Sequence, residues 1–187
     1  MNKAPLLIVA TGSSAAIVLS EYLTELKAEV DHPITVLMTT SAERFVRPEV
    51  VGWFADTVLT CATPGVNPVE VALRSAAVVV LPATANTLSS AALGLMSTPA
   101  LTVLAAAPSP TLYFPHMNGV LWRKPFILEH IATLRQRGDT VVSPVEEVVF
   151  EMWRGAKGPS LSMPGPDKAA AIVRDWLAER ARTAGAA

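Results

Sequence analysis

A single cysteine, Cys61, stands in 187 residues, which excludes an internal disulfide framework and any multi-cysteine metal site. Burial as a small apolar side chain is its expected role. Charge of either sign is sparse too: 15 Lys and Arg against 16 Asp and Glu give a net charge of −1 with no basic cluster, so the chain carries no electrostatic footprint for nucleic acid or an anionic membrane. No apolar run approaches the roughly 20 residues that span a bilayer. The run near the start is preceded only by Lys3 and leads into TGSSAA, which reads as a first strand entering a loop rather than a signal peptide, and a cytoplasmic protein is expected. Neither GxGxxG nor a Gly-Lys-Ser/Thr sequence surrounds Gly12. The second apolar run ends in Thr39-Thr40, where a nicotinamide site would need an acidic partner for the ribose, so an NAD enzyme is disfavoured.

What the chain does have is apolar residues, at 51% with a mean hydropathy of +0.39. That is high for a soluble monomer and predicts apolar surface covered by other subunits. The length suits one domain over residues 1–187. Short apolar runs alternate with helical spacing. LLIVA is followed by a helix with Ile17, Leu19, Tyr22, Leu23 and Leu26 on one face. PITVLMTT is followed by SAERFV, with Ser41 as a candidate N-cap, and TVLT by VEVALRS. AAVVVL is followed by NTLSSAALGL, ALTVLAAA is taken as a fifth strand, and PFILEHIATLRQR leads to DTVV as a sixth. Such alternation predicts an α/β fold with a six-stranded parallel sheet and helices on both faces. Residues 155–168, with three Pro and three Gly, predict an irregular, flexible loop placed to cover a substrate. A helix containing Ile172, Val173, Trp176 and Leu177 closes the pattern.

Polar islands sit where apolar runs end, the position at which open α/β sheets bind ligands. GSSAA at 12–16 offers backbone N–H groups and hydroxyls to an anion such as phosphate, although its serines could equally cap their own helix. Thr39, Thr40 and Ser41 bring more hydroxyls to the neighbouring strand end. PATANT at 82–87 and PHMNGVLW at 115–122 are the other two islands. Asn86 and Thr87 either face a ligand or cap the helix that follows, and Asn118-Gly119 is either functional or an ordinary turn.

In order and spacing these two islands resemble the PASANT and PxMNxxMW motifs of the homo-oligomeric flavin-containing cysteine decarboxylases, with Thr84 in place of Ser and Leu121 in place of Met. The resemblance spans roughly residues 5–145. It implies a Rossmann- or flavodoxin-like three-layer fold, FMN as cofactor, and a trimer or a dodecamer built of trimers. It places the FMN phosphate against Gly12, Ser13, Ser14, Thr39 and Ser41, the isoalloxazine near Phe45, and Ala83, Thr84, Asn86 and Thr87 around the flavin. Met117, Asn118, Leu121 and Trp122 would bind substrate, with Asn118 on its carboxylate. The implied reaction is oxidative decarboxylation of a C-terminal cysteine to an enethiol. The chain departs from the pattern at the family's histidine, fourteen residues before Pro82, where Pro68 stands. Asn67 and Glu70 are nearby alternatives, and His116, inside the second motif, is the histidine placed to take over acid–base work. His32 and His130 are expected to be structural. The flap cysteine of phosphopantothenoylcysteine decarboxylases is also absent, since residues 155–168 contain none. The product should then remain an enethiol, as in peptide-tailoring members that build aminovinyl-cysteine rings. Alternatives are a phosphopantothenoylcysteine decarboxylase and a non-catalytic FMN-binding regulatory subunit.

Overall fold

Strands β1 (Leu6–Ala10), β2 (Ile34–Met38) and β4 (Ala77–Ala83) are nearly continuous apolar runs, and their side chains are buried on both sides of the sheet. That is the pattern of parallel strands covered on two faces. The computed structural model describes residues 3–108, 110–151 and 154–185. With β3 (Thr57–Thr60), β5 (Leu112–Pro115) and β6 (Thr140–Val141) the strands form one sheet in the order β3-β2-β1-β4-β5-β6. Every pairing in it is parallel. Leu6, Ile8 and Ala10 of β1 point into one core layer, Leu7 and Val9 into the other.

The first layer is covered by α1 (Leu19–Glu29), the short α2 (Pro48–Val51) and the closing helix α8 (Pro166–Gly185), through side chains such as Leu23, Leu26, Val51 and Val173. The second is covered by α3 (Pro68–Arg74), α4 (Ala85–Ala92), α5 (Pro99–Ala106) and α7 (Pro125–Gln136), through Ala72, Leu88, Val103 and Ile131. The three-layer α/β fold expected from the sequence is thus present. Its order is the doubly wound one, in which the direction of winding reverses between β1 and β4 and leaves a crevice at their carboxyl ends.

Three local expectations are corrected. ALTVLAAA is helix, not strand. Thr98 accepts the Leu101 N–H on its hydroxyl at 3.2 Å and Pro99 occupies the first turn, a capped start that decides an apolar run otherwise ambiguous between the two states. The fifth strand is Leu112–Pro115 instead. Residues 155–168 are not irregular throughout: β8 (Ala156–Ser162) pairs antiparallel with β7 (Val145–Glu151) outside the main sheet. Gly155 supports the turn with φ +65°, and a two-stranded ribbon has free edges on which Pro159 is tolerated. Met163, just beyond β8, is buried in the first core layer. Finally, SAERFV makes only a 3-10 turn, Ala42–Arg44, and Ser41 does not cap it; Thr39 does so with its hydroxyl, accepting the Ala42 N–H at 3.2 Å. Among the described residues no helix is long and apolar enough to cross a membrane.

Candidate active site

Thr11, at the end of β1, joins the two strands that flank the crevice. Its buried hydroxyl donates to the Pro82 carbonyl at 2.7 Å and accepts the Thr84 N–H at 3.1 Å. The next residue is Gly12, and a Cβ there would stand 2.3 Å from Ser41 Cβ and 2.9 Å from the Ser41 carbonyl carbon. The loop after β1 therefore lies directly on the loop after β2, and only glycine permits the approach. Ser13 caps the following 3-10 turn, Ser14–Val18, by accepting the Ala15 N–H at 3.3 Å.

On the β4 side Thr84 caps α4, accepting the Thr87 N–H at 3.2 Å, with its hydroxyl 2.9 Å from that of Thr87. The cap is thus Thr84, and Asn86, exposed two positions further on, is left to face the crevice. A cavity of about 340 Å³ lies here, bordered by Gly12, Thr39, Ser41, Thr84, Asn86 and Thr87, and by Thr11, Ser97 and Thr98. Its polar lining is hydroxyl and amide, with no ionisable side chain.

A second cavity, about 300 Å³, shares Gly12, Thr84 and Asn86 with the first and adds Ser13, Ser14 and the PHMN segment. His116 is fixed at both ends. Its N–H donates to the Ala83 carbonyl at 2.9 Å, and its Nδ1 is 2.6 Å from the Ser13 hydroxyl. Burial pushes its imidazole below the usual histidine pKa of 6.5, so the ring is neutral at neutral pH. Asn118 opens the single-turn helix α6 (Gly119–Trp122), its Oδ1 accepting the Val120 N–H at 2.8 Å. The amide NH2 stays available as a donor. Met117 and Leu121 complete the wall.

Twelve of the expected site residues therefore meet at the crevice: Gly12, Ser13 and Ser14; Thr39 and Ser41; Thr84, Asn86 and Thr87; His116, Met117, Asn118 and Leu121. Three line neither cavity. Phe45 follows the 3-10 turn at 40% exposure, Ala83 is buried in β4 and contributes only its carbonyl, and Trp122 packs against the second core layer. Asn67 and Glu70 are also away from both: Asn67 caps α3, and Glu70 pairs with Arg74 at 2.6 Å. His32 and His130 are structural, bonded to the Ala4 carbonyl and the Ser89 hydroxyl. Cys61 is half-buried, and burial pushes its thiol up. Thr11, Ser97 and Thr98 also line the first cavity and were not singled out from the sequence. Thr98-Pro99 carried a helix-start signal that would have placed Thr98 at the crevice.

Size alone does not single out this crevice, because a cavity of about 370 Å³ opens among α4, α5 and α7, away from both motifs. Chemistry does. A flavin mononucleotide presents ring carbonyls and nitrogens that pair with neutral amides and hydroxyls, and a phosphate that seeks backbone N–H groups. The close approach of the Gly12 and Ser41 loops beside the hydroxyl- and amide-lined cavity gives neutral polar partners at two adjacent strand ends, so the residues fit FMN.

Fold and crevice together define a doubly wound mononucleotide-binding protein. The chain belongs to the flavoprotein family, whose pattern matches residues 1–162. It is 32% identical over 182 residues to the mersacidin decarboxylase of Bacillus sp. strain HIL-Y85/54728, spanning 95% of this chain and 92% of that protein. It is 30% identical over 160 residues to the epidermin decarboxylase of Staphylococcus epidermidis, spanning 85% and 88%. Among solved structures, a variant of EpiD complexed with the substrate peptide DSYTC superposes with a TM-score of 0.83 at 29% identity, covering 90% of this chain and 97% of that one.

Proposed function

We propose that this protein is an FMN-dependent peptidyl-cysteine decarboxylase that converts the C-terminal cysteine of a precursor peptide into an aminoenethiol, leading to an aminovinyl-cysteine ring. The observation that carries it is the meeting of the PATANT and PHMN loops in one crevice, with the Gly12 loop on a shared wall. Gly12, Ser13, Ser14, Thr39 and Ser41 would hold the phosphate, and Thr84, Asn86 and Thr87 the ring. Phe45, which lines neither cavity, is given no part in holding the ring. FMN, when bound, would supply the two-electron oxidation of the substrate Cβ.

The residues of this chain do the rest. The neutral amide of Asn118 orients the substrate carboxylate. A cysteine thiol ionises near ~8.5 and needs a base at neutral pH. In the tautomer whose Nδ1–H donates to the Ser13 hydroxyl, 2.6 Å away, His116 presents the Nε2 lone pair and can take the thiol proton. Oxidation of the thiolate-bearing carbon gives a thioaldehyde, the Cα–CO2 bond breaks, and the electron pair moves onto sulfur. His116 then returns its proton to the enethiolate. No flap cysteine reduces the product, so the reduced cofactor must be reoxidised from outside.

The exposed apolar side chains of Trp53, Leu73 and Leu93 favour a homo-oligomer, and we place the protein in the cytoplasm. The test is to incubate the FMN-loaded protein with a peptide ending in Cys and, separately, with phosphopantothenoylcysteine, and to read the products by mass. Loss of CO2 and two hydrogens from the peptide alone is expected. Bound FMN with no conversion of several peptides would favour the non-catalytic reading that Pro68 keeps open.

A further inference from the structure

A third cavity, about 450 Å³, opens between α6 and the β7–β8 ribbon. Asn118 borders both it and the His116 cavity, so the two cavities adjoin at that residue. The apolar part of its wall comes from Val120, Pro159 and Leu161. Its charged groups are Arg123, Glu146 and Arg154. Arg154 is already engaged. Arg123 forms no ion pair among the described residues, and its guanidinium lies over Gly119, where a Cβ would be 3.4 Å from both terminal nitrogens. The bare glycine leaves room for that placement.

We propose that Arg123 is a specificity residue that pairs with a single acidic side chain one or two residues before the reacting cysteine; this rests on the peptidyl-cysteine decarboxylase reading. The α-carboxylate itself is a poor partner for it. That group loses its charge as CO2 forms, so a guanidinium on it would stabilise the ground state more than the transition state. A neutral amide such as Asn118 suits the departing group, while a full positive charge suits a carboxylate that persists. The spacing agrees. The guanidinium lies against Gly119, the neighbour of Asn118, so the side chain it meets belongs to a residue one or two places along an extended peptide from the one held at Asn118. Glu146 in the same cavity repels a second acid, so one acidic residue is read rather than an acidic run.

The test measures kcat/KM for Cys-ending peptides that differ only as Asp/Asn, Glu/Gln or Lys at each of the three positions before the cysteine. Wild type, R123Q, R123K and R123E are compared, with flavin content as the folding control. Wild type is expected to favour the acidic peptide about three- to ten-fold at one or two of these positions. R123K should keep the preference, R123Q should bring the ratio close to one, and R123E should shift it toward Lys. Equal kcat/KM for acidic and neutral peptides in wild type, or a ratio that R123Q leaves unchanged, overturns the proposal alone. Conversion of no peptide at all by wild type removes the decarboxylase reading and the proposal with it.

Discussion

Gly12 and His116 are the residues on which the site turns, and each makes a distinct prediction. In Gly12→Ala the new Cβ meets Ser41 Cβ and backbone at less than van der Waals contact, so the two phosphate loops must separate. Overpacking of this kind costs about 1–3 kcal/mol, which corresponds to a loss of FMN affinity of roughly five- to 150-fold if all of it falls on the bound state. Titration of FMN fluorescence measures it, and unaltered affinity would show that the Gly12–Ser41 contact does not shape the phosphate site. His116 predicts a pH dependence. Its pKa is held below 6.5 by burial, so the neutral, proton-accepting ring persists through neutral pH and is lost only as pH falls through the lowered value. The same shift disfavours the folded state at low pH, because the unfolded chain takes the proton first as pH drops below about 6.5. We expect kcat/KM to be flat above 6.5 and to decline on the acid side. In His116→Asn turnover should collapse while FMN stays bound, and any residual activity should lose that acid limb.

At the scale of elements the crevice depends on how β1 is tied to β4. Thr11 is the tie, with its hydroxyl committed to Pro82 and Thr84 and the side chain buried. Thr11→Val keeps the shape and leaves a buried carbonyl and N–H without that partner, at a cost of about 1–3 kcal/mol. The midpoint of urea unfolding should fall accordingly and FMN affinity should weaken with it, since Thr84 starts α4 and lines both cavities. A midpoint equal to wild type would mean that water or a relaxed loop replaces the bond.

Most elements were legible because their apolar spacing and caps agree. Thr11 was not, for it reads as one more residue after a strand and acquires its role only from a strand 71 positions away. Two longer misreadings have local causes. The run 100–107 is apolar but for Thr102 and shows no clear period, so its helix is announced chiefly by Thr98-Pro99. The ribbon at 156–162 is rich in Pro and Gly, and its partner strand, not its composition, makes it extended. Of the two motifs, Trp122 lies against the second core layer and lines neither cavity, because the single turn of α6 presents it there.

For the whole molecule, stability and cofactor binding are linked by topology. The two cavities draw their walls from loops after β1, β2, β4 and β5, and the unfolded chain has no such arrangement. FMN then binds the folded state alone and stabilises it by RT ln(1 + [L]/Kd), about 2.7 kcal/mol at a hundred-fold excess over Kd. In a domain of this size each kcal/mol moves the melting temperature by about 2–4 °C, so saturating FMN should raise Tm by roughly 5–10 °C. The rise should follow the logarithm of FMN concentration. Gly12→Ala should show a smaller rise at the same concentration, in proportion to its lost affinity. Riboflavin, with the ring and without the phosphate, should shift Tm less than FMN if the Gly12–Ser41 cradle grips the phosphate. Equal shifts would assign the binding energy to the ring, and no shift with either would show that the crevice does not hold a flavin in the isolated protein.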